Sequence, residues 1–405
     1  MLNQNNIKPK LVIVGAGIVG VTIAREASIT NLFSDITLIE KEKRAGFHAS
    51  TRNSGVIHSG FYYSADSNKA RFCSNGNKLL RDYCIEKNLE FSPSGKVVVS
   101  KNDHEDEILK TLCDRAIKNN CSVKIINANL LNDYEPEALT NKSFLWSPNT
   151  WSASPKQLMR KLLFELEEKN ISIRLNCKMV GVDKNSIILE NGEKIKFDLI
   201  INASGGYALS IANMFGIETN YQILPFKGLY LKSKSKNKLF RKHIYPVPDM
   251  SQPFLGIHTT ITSDNYIKLG PTALPVLSPE NYSLFEGLDI NISPEILLLQ
   301  SKLFLENSFD FRNIAIREFK YLFKKNILKS AQELIRTKLK SDDFEWYSPG
   351  IRAQLFDKKK KKLENDILIK TVNNQIHLLN SISPAWTCSF QTSKYILEYI
   401  KKNFF

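Results

Sequence analysis

The 405 residues are too many for one small core and imply two or three compact units. An apolar share of 42% and a charged share of 24% exclude a disordered chain, and the longest apolar stretch, LVIVGAGIVGVTIA from Leu11, is too short and glycine-rich to span a bilayer. The net charge of +15 suits anionic surfaces, but lysine is spread along the whole chain, and no arginine-rich helix, zinc-finger spacing or aromatic RNA-binding strand points to nucleic acid. Cysteines 73, 84, 113, 121, 177 and 388 form no C-x-x-C pair or metal-ligand spacing, so reduced thiols in a cytoplasmic protein are expected, with no metal and no signal peptide.

The chain opens as a β-α-β unit: an apolar run Lys10 to Val14, a glycine turn, a helix to about Ser28, and DITLIEK as a second strand. Gly15, Gly17 and Gly20 give G-x-G-x-x-G after the first strand, and Glu40, followed by Lys41, closes the second. That order predicts dinucleotide binding. Gly15 permits the turn, Gly17 admits a pyrophosphate, Gly20 lets helix and strand pack, and Glu40 accepts from a ribose. NAD and FAD both satisfy the pattern.

No further β-α alternation follows at once. The chain enters RNSGVIHSGFYY, residues 52 to 63, then a helix over 76 to 88, strand KVVVS, a helix over 103 to 119 and strand VKIIN. A helix near 155 to 169 leads to ISIRLNCKMVGV, which holds Val180, and to a meander turning at Asn191 and Gly192. FDLIINASGG is a buried strand whose Ala203 and Gly205 bring backbone toward a second part of one large cofactor. Strands alternate over 221 to 272, helices fill about 293 to 340, and GIRAQLFD, NDILIK and QIHLLNS precede a last helix opened by Ser383 and Pro384.

Taken in order, VIVGAGIVG, RNSGVIHSGFYY, IYPVPDMSQPFLGIH, LGPTA, GIRAQ and SPAWT resemble the L-2-hydroxyglutarate oxidase (dehydrogenase) family of FAD-dependent oxidoreductases, in the D-amino-acid-oxidase-like group, from about residue 10 to 400. The resemblance implies an α/β fold with an α+β substrate domain: a glutathione-reductase-like FAD-binding domain over 1–80, 151–218 and 341–405, and an antiparallel-sheet substrate domain over 81–150 and 219–340. It implies FAD as cofactor and oxidation of an L-2-hydroxy acid to 2-oxoglutarate, with electrons passed to quinone, another carrier or oxygen. An amino-acid or imino-acid oxidase of the same group remains an alternative, as does a non-catalytic dinucleotide-binding sensor or assembly partner. Two departures bear on the substrate: Lys227 and Leu229 in FKGLY replace the family's arginine and acid, and Trp386 and Cys388 replace small residues beside the expected flavin edge.

Such a reaction needs a base for the hydroxyl proton, and His58 and His258 compete for the role. Arg52, Asn53, Ser54 and Gly55 suit the FAD pyrophosphate or ribityl chain, with Val180 and Gly350 as further cofactor positions. The helix N-terminus at Thr387 suits the flavin ring. Tyr62 and Tyr63 are candidate pocket walls, and Lys227, Tyr245 and Arg352 candidate carboxylate partners; each of these residues also has an ordinary structural reading as a packed aromatic, an ion-paired arginine or a backbone-bonded histidine. Lysines 358 to 362 read as a hairpin tip which, with SKYILEYIKKNFF at the C-terminus, would suit peripheral contact with an anionic membrane.

Overall fold

Leu11, Val12, Ile13 and Val14 are buried in succession, as befits a strand covered on both faces. In the computed structural model, which describes residues 8–250, 254–283 and 286–405, Lys10–Val14 pairs in parallel with Asp35–Ile39 on one side and Leu199–Asn202 on the other. Ser172–Arg174 extends the sheet beyond Asp35–Ile39, and Gln375–Asn380 and Leu368–Val372 extend it the other way. Only Leu368–Val372 runs antiparallel to its neighbour.

Strand alternation divides the two faces. Leu11 and Ile13 join the core with helices Ile18–Thr30, Pro155–Glu168 and Ala385–Phe404, whereas Val12 and Val14 pack against the meander Met179–Asp183, Ser186–Leu189 and Lys194–Lys196. Ile396, Leu397 and Ile400 are buried in the first of these cores, so the apolar side of the C-terminal helix faces inward and is not available to a membrane.

The second sheet runs, in spatial order, Lys362–Leu363, Phe344–Asp357, Tyr221–Ser233, Ile267–Gly270, His258–Ile261, His243–Pro246, Lys96–Val99, Ser143–Ser147 and Lys124–Asn127. It is antiparallel except where His243–Pro246 meets Lys96–Val99. Helix Asp103–Lys118 covers Val98, Leu145 and Tyr245 on one face, and helix Lys324–Gln332 covers Val97, Ile244 and Leu269 on the other. Ser251, Gln252 and Pro253 of the IYPVPDMSQPFLGIH block lie outside the described residues.

Two sequence expectations need correction. The segment from 341, assigned to the cofactor unit, begins with the strand Phe344–Asp357, which belongs to the second sheet and pairs with Tyr221–Ser233 from Tyr221↔Asp357 to Ser233↔Phe344. The reason is packing: Phe356 fills the core beside Leu224 and Phe226, and Phe344 fills the core beside Leu231. Phe344–Asp357 and Lys362–Leu363 therefore belong to the second sheet. The helix expected from 76 begins at Asn68, because the Ser67 hydroxyl accepts from Ala70 N and caps it a full two turns earlier.

Candidate active site

A cleft of about 1060 Å³ runs between the two sheets, from the G-x-G-x-x-G turn to the strand carrying His258. At its first end Gly15 adopts φ 101°, and a side chain there would strike the Ala203 carbonyl, so glycine alone lets the two strand ends approach. Glu40 closes the turn from below: its carboxylate accepts from Ala16 N at 2.9 Å and Glu42 N at 3.0 Å. Ser50 Oγ accepts from Ile18 N at 2.8 Å, placing an oxygen at the amino end of the first helix where a phosphate oxygen is favoured. Gly17 faces that oxygen, and Gly205, with φ 58°, leaves open space on the opposite wall. Gly20 does not reach the cleft; it packs against the Gly15 carbonyl.

The loop from Arg52 forms the middle of the cleft, with Arg52, Asn53, Ser54 and His58 in its wall. Asn53 Oδ1 accepts from Gly55 N, and the Arg52 guanidinium lies 4.2 Å from the Tyr282 ring centroid. His58 N donates to Thr387 Oγ1 at 3.1 Å, which ties this loop to the amino end of helix Ala385–Phe404. Ser383, Pro384, Ala385, Trp386 and Thr387 all border the cleft there, while Cys388 is turned away into a core with Phe72 and Cys73.

His58, His258, Arg352, Tyr230 and Phe254 line the far end. His258 Nδ1 lies 2.9 Å from the Gly256 carbonyl, so it carries the proton and Nε2 is left as the acceptor. Burial, reinforced at His58 by Lys96 and His258, lowers both histidines to about 3 and keeps them neutral. Burial also brings Arg352 down to about 10.

Several expected residues are elsewhere. Lys227 points away from the cleft and donates to the carbonyls of Asn281 at 3.1 Å and Tyr282 at 3.4 Å, so it clamps a loop and is not placed to meet a carboxylate. Tyr62 and Tyr245 are buried behind the cleft wall, with Tyr62 OH accepting from Lys96 Nζ and Tyr245 stacked on His258. Tyr63 packs beside Lys69. Val180 is 44% exposed, and its neighbour Met179 faces the cleft instead, as strand alternation requires. Gly55 packs on the Ala153 carbonyl, whereas Gly350 does border the cleft and lies so close to the Arg52 carbonyl that a Cβ would fall 2.0 Å from it.

Four features escaped the sequence reading. Ser50 carries no motif of its own. Lys69 and Lys96 are buried lysines, each lowered to about 7 by burial, and their spacing in the chain shows no relation to the histidines. At the mouth, Lys41 bonds both Glu42 and Glu280, and His48 joins them through Glu42 at 3.0 Å and Tyr282 at 2.9 Å. Burial opposes the charge on Lys41, but Glu280 and Glu42 together hold its ammonium above the ordinary range.

The chain matches the family described as DAO, FAD dependent oxidoreductase, over residues 10–396. It belongs to that family. An L-2-hydroxyglutarate dehydrogenase of Indibacter alkaliphilus is 31% identical over 402 residues, covering 98% of this chain and 99% of that protein. The mitochondrial L-2-hydroxyglutarate dehydrogenase of Homo sapiens is 30% identical, over 97% of this chain and 89% of that one. Among solved structures, a dithionite-reduced L-alpha-glycerophosphate oxidase from Mycoplasma pneumoniae with FAD bound superposes with a TM-score of 0.76 at 19% identity, covering 97% and 94% of the two chains. An L-proline dehydrogenase from P. horikoshii gives 0.71 at 18% identity, over 98% and 94%. These structural likenesses establish the fold shared across the DAO family.

The cleft fits the cofactor the family uses. Bare backbone at Gly15, Gly17 and Gly205, the Glu40 carboxylate and the amino ends of two helices line it, and the buried His58 Nδ1 and Trp386 Nε1 have no hydrogen-bond partner among the described residues. Replacing Gly17 by valine pushes branched carbon toward Ser50 Oγ, 3.0 Å from a Cβ at that position. Gly17→Val should therefore weaken FAD retention by about tenfold or more, about 1.4 kcal/mol, with far-ultraviolet dichroism unchanged. Full retention of the flavin absorbance through gel filtration contradicts the assignment.

Proposed function

We propose that this flavoenzyme oxidises L-2-hydroxyglutarate, or a close L-2-hydroxy dicarboxylate, to the 2-oxo acid. The observation that carries the reading is the cationic corner at the far end of the cleft. Arg352 borders it, and Lys69 and Lys96 lie buried behind the same wall as the two neutral histidines. The carboxylate that acts on Lys69 is Asp366, whose oxygens already accept from the backbone of Asn68, Lys69 and Ile367; the groups raising Lys96 are the thiols of Cys73 and Cys121. An anionic ligand at the cleft wall would further stabilise this buried positive charge.

Bound FAD supplies a two-electron acceptor for the hydride from the carbinol carbon. Arg352 offers a planar fork to the carboxylate next to that carbon, which orients the substrate. His258 accepts the hydroxyl proton at Nε2, since its Nδ1 is already committed to the Gly256 carbonyl. His58 faces the same corner from the loop. Trp386 and Phe254 supply apolar wall and exclude water. The names of the curated relatives support the substrate. An amino-acid substrate is disfavoured because its ammonium would approach a corner made positive by Arg352.

The electron acceptor is best placed at a lipid surface. Helices Ser293–Glu306 and Phe311–Phe319 and the following turn expose Leu298 at 72%, Leu305 at 77%, Phe319 at 62% and Phe323 at 60%, and Lys320 and Lys325 border the groove between them. An apolar face rimmed by lysine suits an anionic bilayer, in a different place from the residues the sequence suggested. No helix among the described residues is long and apolar enough to cross a membrane.

Anaerobic addition of L-2-hydroxyglutarate should bleach the flavin absorbance, and D-2-hydroxyglutarate and amino acids should not; no bleaching by any 2-hydroxy acid overturns the reading. His258→Asn should slow the bleaching by about 100-fold or more with FAD still bound. Because His258 is lowered to about 3, the base form persists as pH falls, and the rate in the parent enzyme should show its acid limb well below 6.5. For the surface, sedimentation with vesicles containing anionic phosphatidylglycerol should capture the protein at low salt, and the double variant Phe319→Ser, Phe323→Ser should stay in the supernatant. Equal capture of both proteins contradicts the assignment.

A further inference from the structure

Lys96 is 1% exposed and takes no direct part in the hydride transfer, the proton transfer or the carboxylate contact described above. Its Nζ donates to Tyr62 OH at 3.3 Å and lies 4.5, 4.4 and 4.6 Å from the ring centroids of Phe61, Tyr62 and Tyr245. Such a cage of aromatic faces stabilises a cation without an acid partner. The same Tyr245 ring stacks on His258, with centroids 3.7 Å apart and planes 21° apart. The strands make this arrangement: Lys96–Val99 pairs with His243–Pro246, which pairs in turn with His258–Ile261, so ammonium, phenol and imidazole come from three adjacent strands.

We infer that Lys96 is a positioning residue for the oxidation proposed above: packed on the Tyr245 ring, it holds the stacked His258 imidazole at the cleft wall. The inference rests on the reading of His258 as base. Its geometry explains why a lysine occupies a site where methionine would pack, since the aromatic cage and a single phenol are what it touches.

The charged and titratable groups around Lys96 come from every packed element. Cys73 lies on helix Asn68–Glu86, and Cys121 follows helix Asp103–Lys118; both favour the ammonium. His58, from the loop, and His243 and His258, from neighbouring strands, each feel Lys96 as a charge that opposes their protonation. His243 is anchored independently, accepting from Ile261 N at Nδ1, so it is not the group that moves. Below neutrality Lys96 is the cation, since its own titration falls at about 7, so it acts across the range in which a histidine would take a proton. Burial is the larger cause of the low His258 value and Lys96 the smaller, so removing the lysine returns part of the shift.

The test is stopped-flow flavin reduction by L-2-hydroxyglutarate without oxygen, across pH, in the full FAD-loaded protein. Lys96→Met should lower the limiting reduction rate about tenfold, leave the substrate Kd within about twofold, and move the acid limb up by roughly half a unit or more. Lys96→Arg, which keeps the charge, should return the limb to its parent position even if the rate stays low. An unmoved limb in Lys96→Met, or a raised Kd at unchanged limiting rate, overturns the inference. Should Lys96→Met lose FAD, Tyr245→Leu decides: it removes the stacked ring, and a limiting rate equal to the parent's overturns the proposal, whereas a fall with Kd kept supports it. A parent enzyme that no 2-hydroxy acid reduces overturns the reading of function instead, and is told apart because that failure precedes any variant.

Discussion

Positive charge taken out of water beside two neutral histidines is the constraint on which the rest of this structure depends. Arg352, Lys69 and Lys96 are buried at one end of a single cleft, beside two histidines that their surroundings keep neutral. Taking a cation out of water costs several kcal/mol, which a fold tolerates only where aromatic faces, carbonyls or a ligand offset it. Here the aromatic faces hold Lys96, Asp366 acts on Lys69, and the anionic substrate proposed above would meet Arg352 at the cleft wall. On the proposed reading, the acid-base group, the carboxylate partner and the electrostatic bias toward an anionic substrate are aspects of one arrangement.

That corner is assembled from both sheets, so its geometry rests on how closely they meet. The Phe344–Asp357 strand carries Arg352 and passes the cofactor loop at Gly350, where only a missing side chain lets the Arg52 carbonyl approach. Thr387 ties the same loop to the last helix through His58 N. The Lys41, Glu42 and Glu280 contacts hold the mouth from the other side. Two units that the chain crosses repeatedly are thereby tied together across the cleft.

The parts of the site that were legible in the sequence are those whose chemistry is local. Gly15, Gly17 and Glu40 belong to one turn and its neighbouring strand, so their spacing predicts their place, and the Arg52 to His58 loop follows from a contiguous block. Lys227 misled because a lysine in a motif position says nothing of the carbonyls that tertiary packing brings to it. Lys69 and Lys96 were invisible for the converse reason: surface lysines are common, and burial and an aromatic cage arise only when distant strands pair. The boundary at 341 failed because strand partners are chosen by core filling rather than by composition, and Val180 failed by one residue, which in a strand turns a side chain to the opposite face.

The most direct measurement is calorimetric titration of the FAD-loaded protein with glutarate and with butyrate, in buffers of different ionisation enthalpy near neutral pH. Both lack the hydroxyl and are not oxidised, so they report the cationic corner alone. The account predicts that the dicarboxylate binds more tightly by about tenfold or more, with net proton uptake as the buried Lys69 ammonium, titrating near 7, becomes fully charged beside it. Equal affinity for the two acids, with no proton taken up, would contradict it.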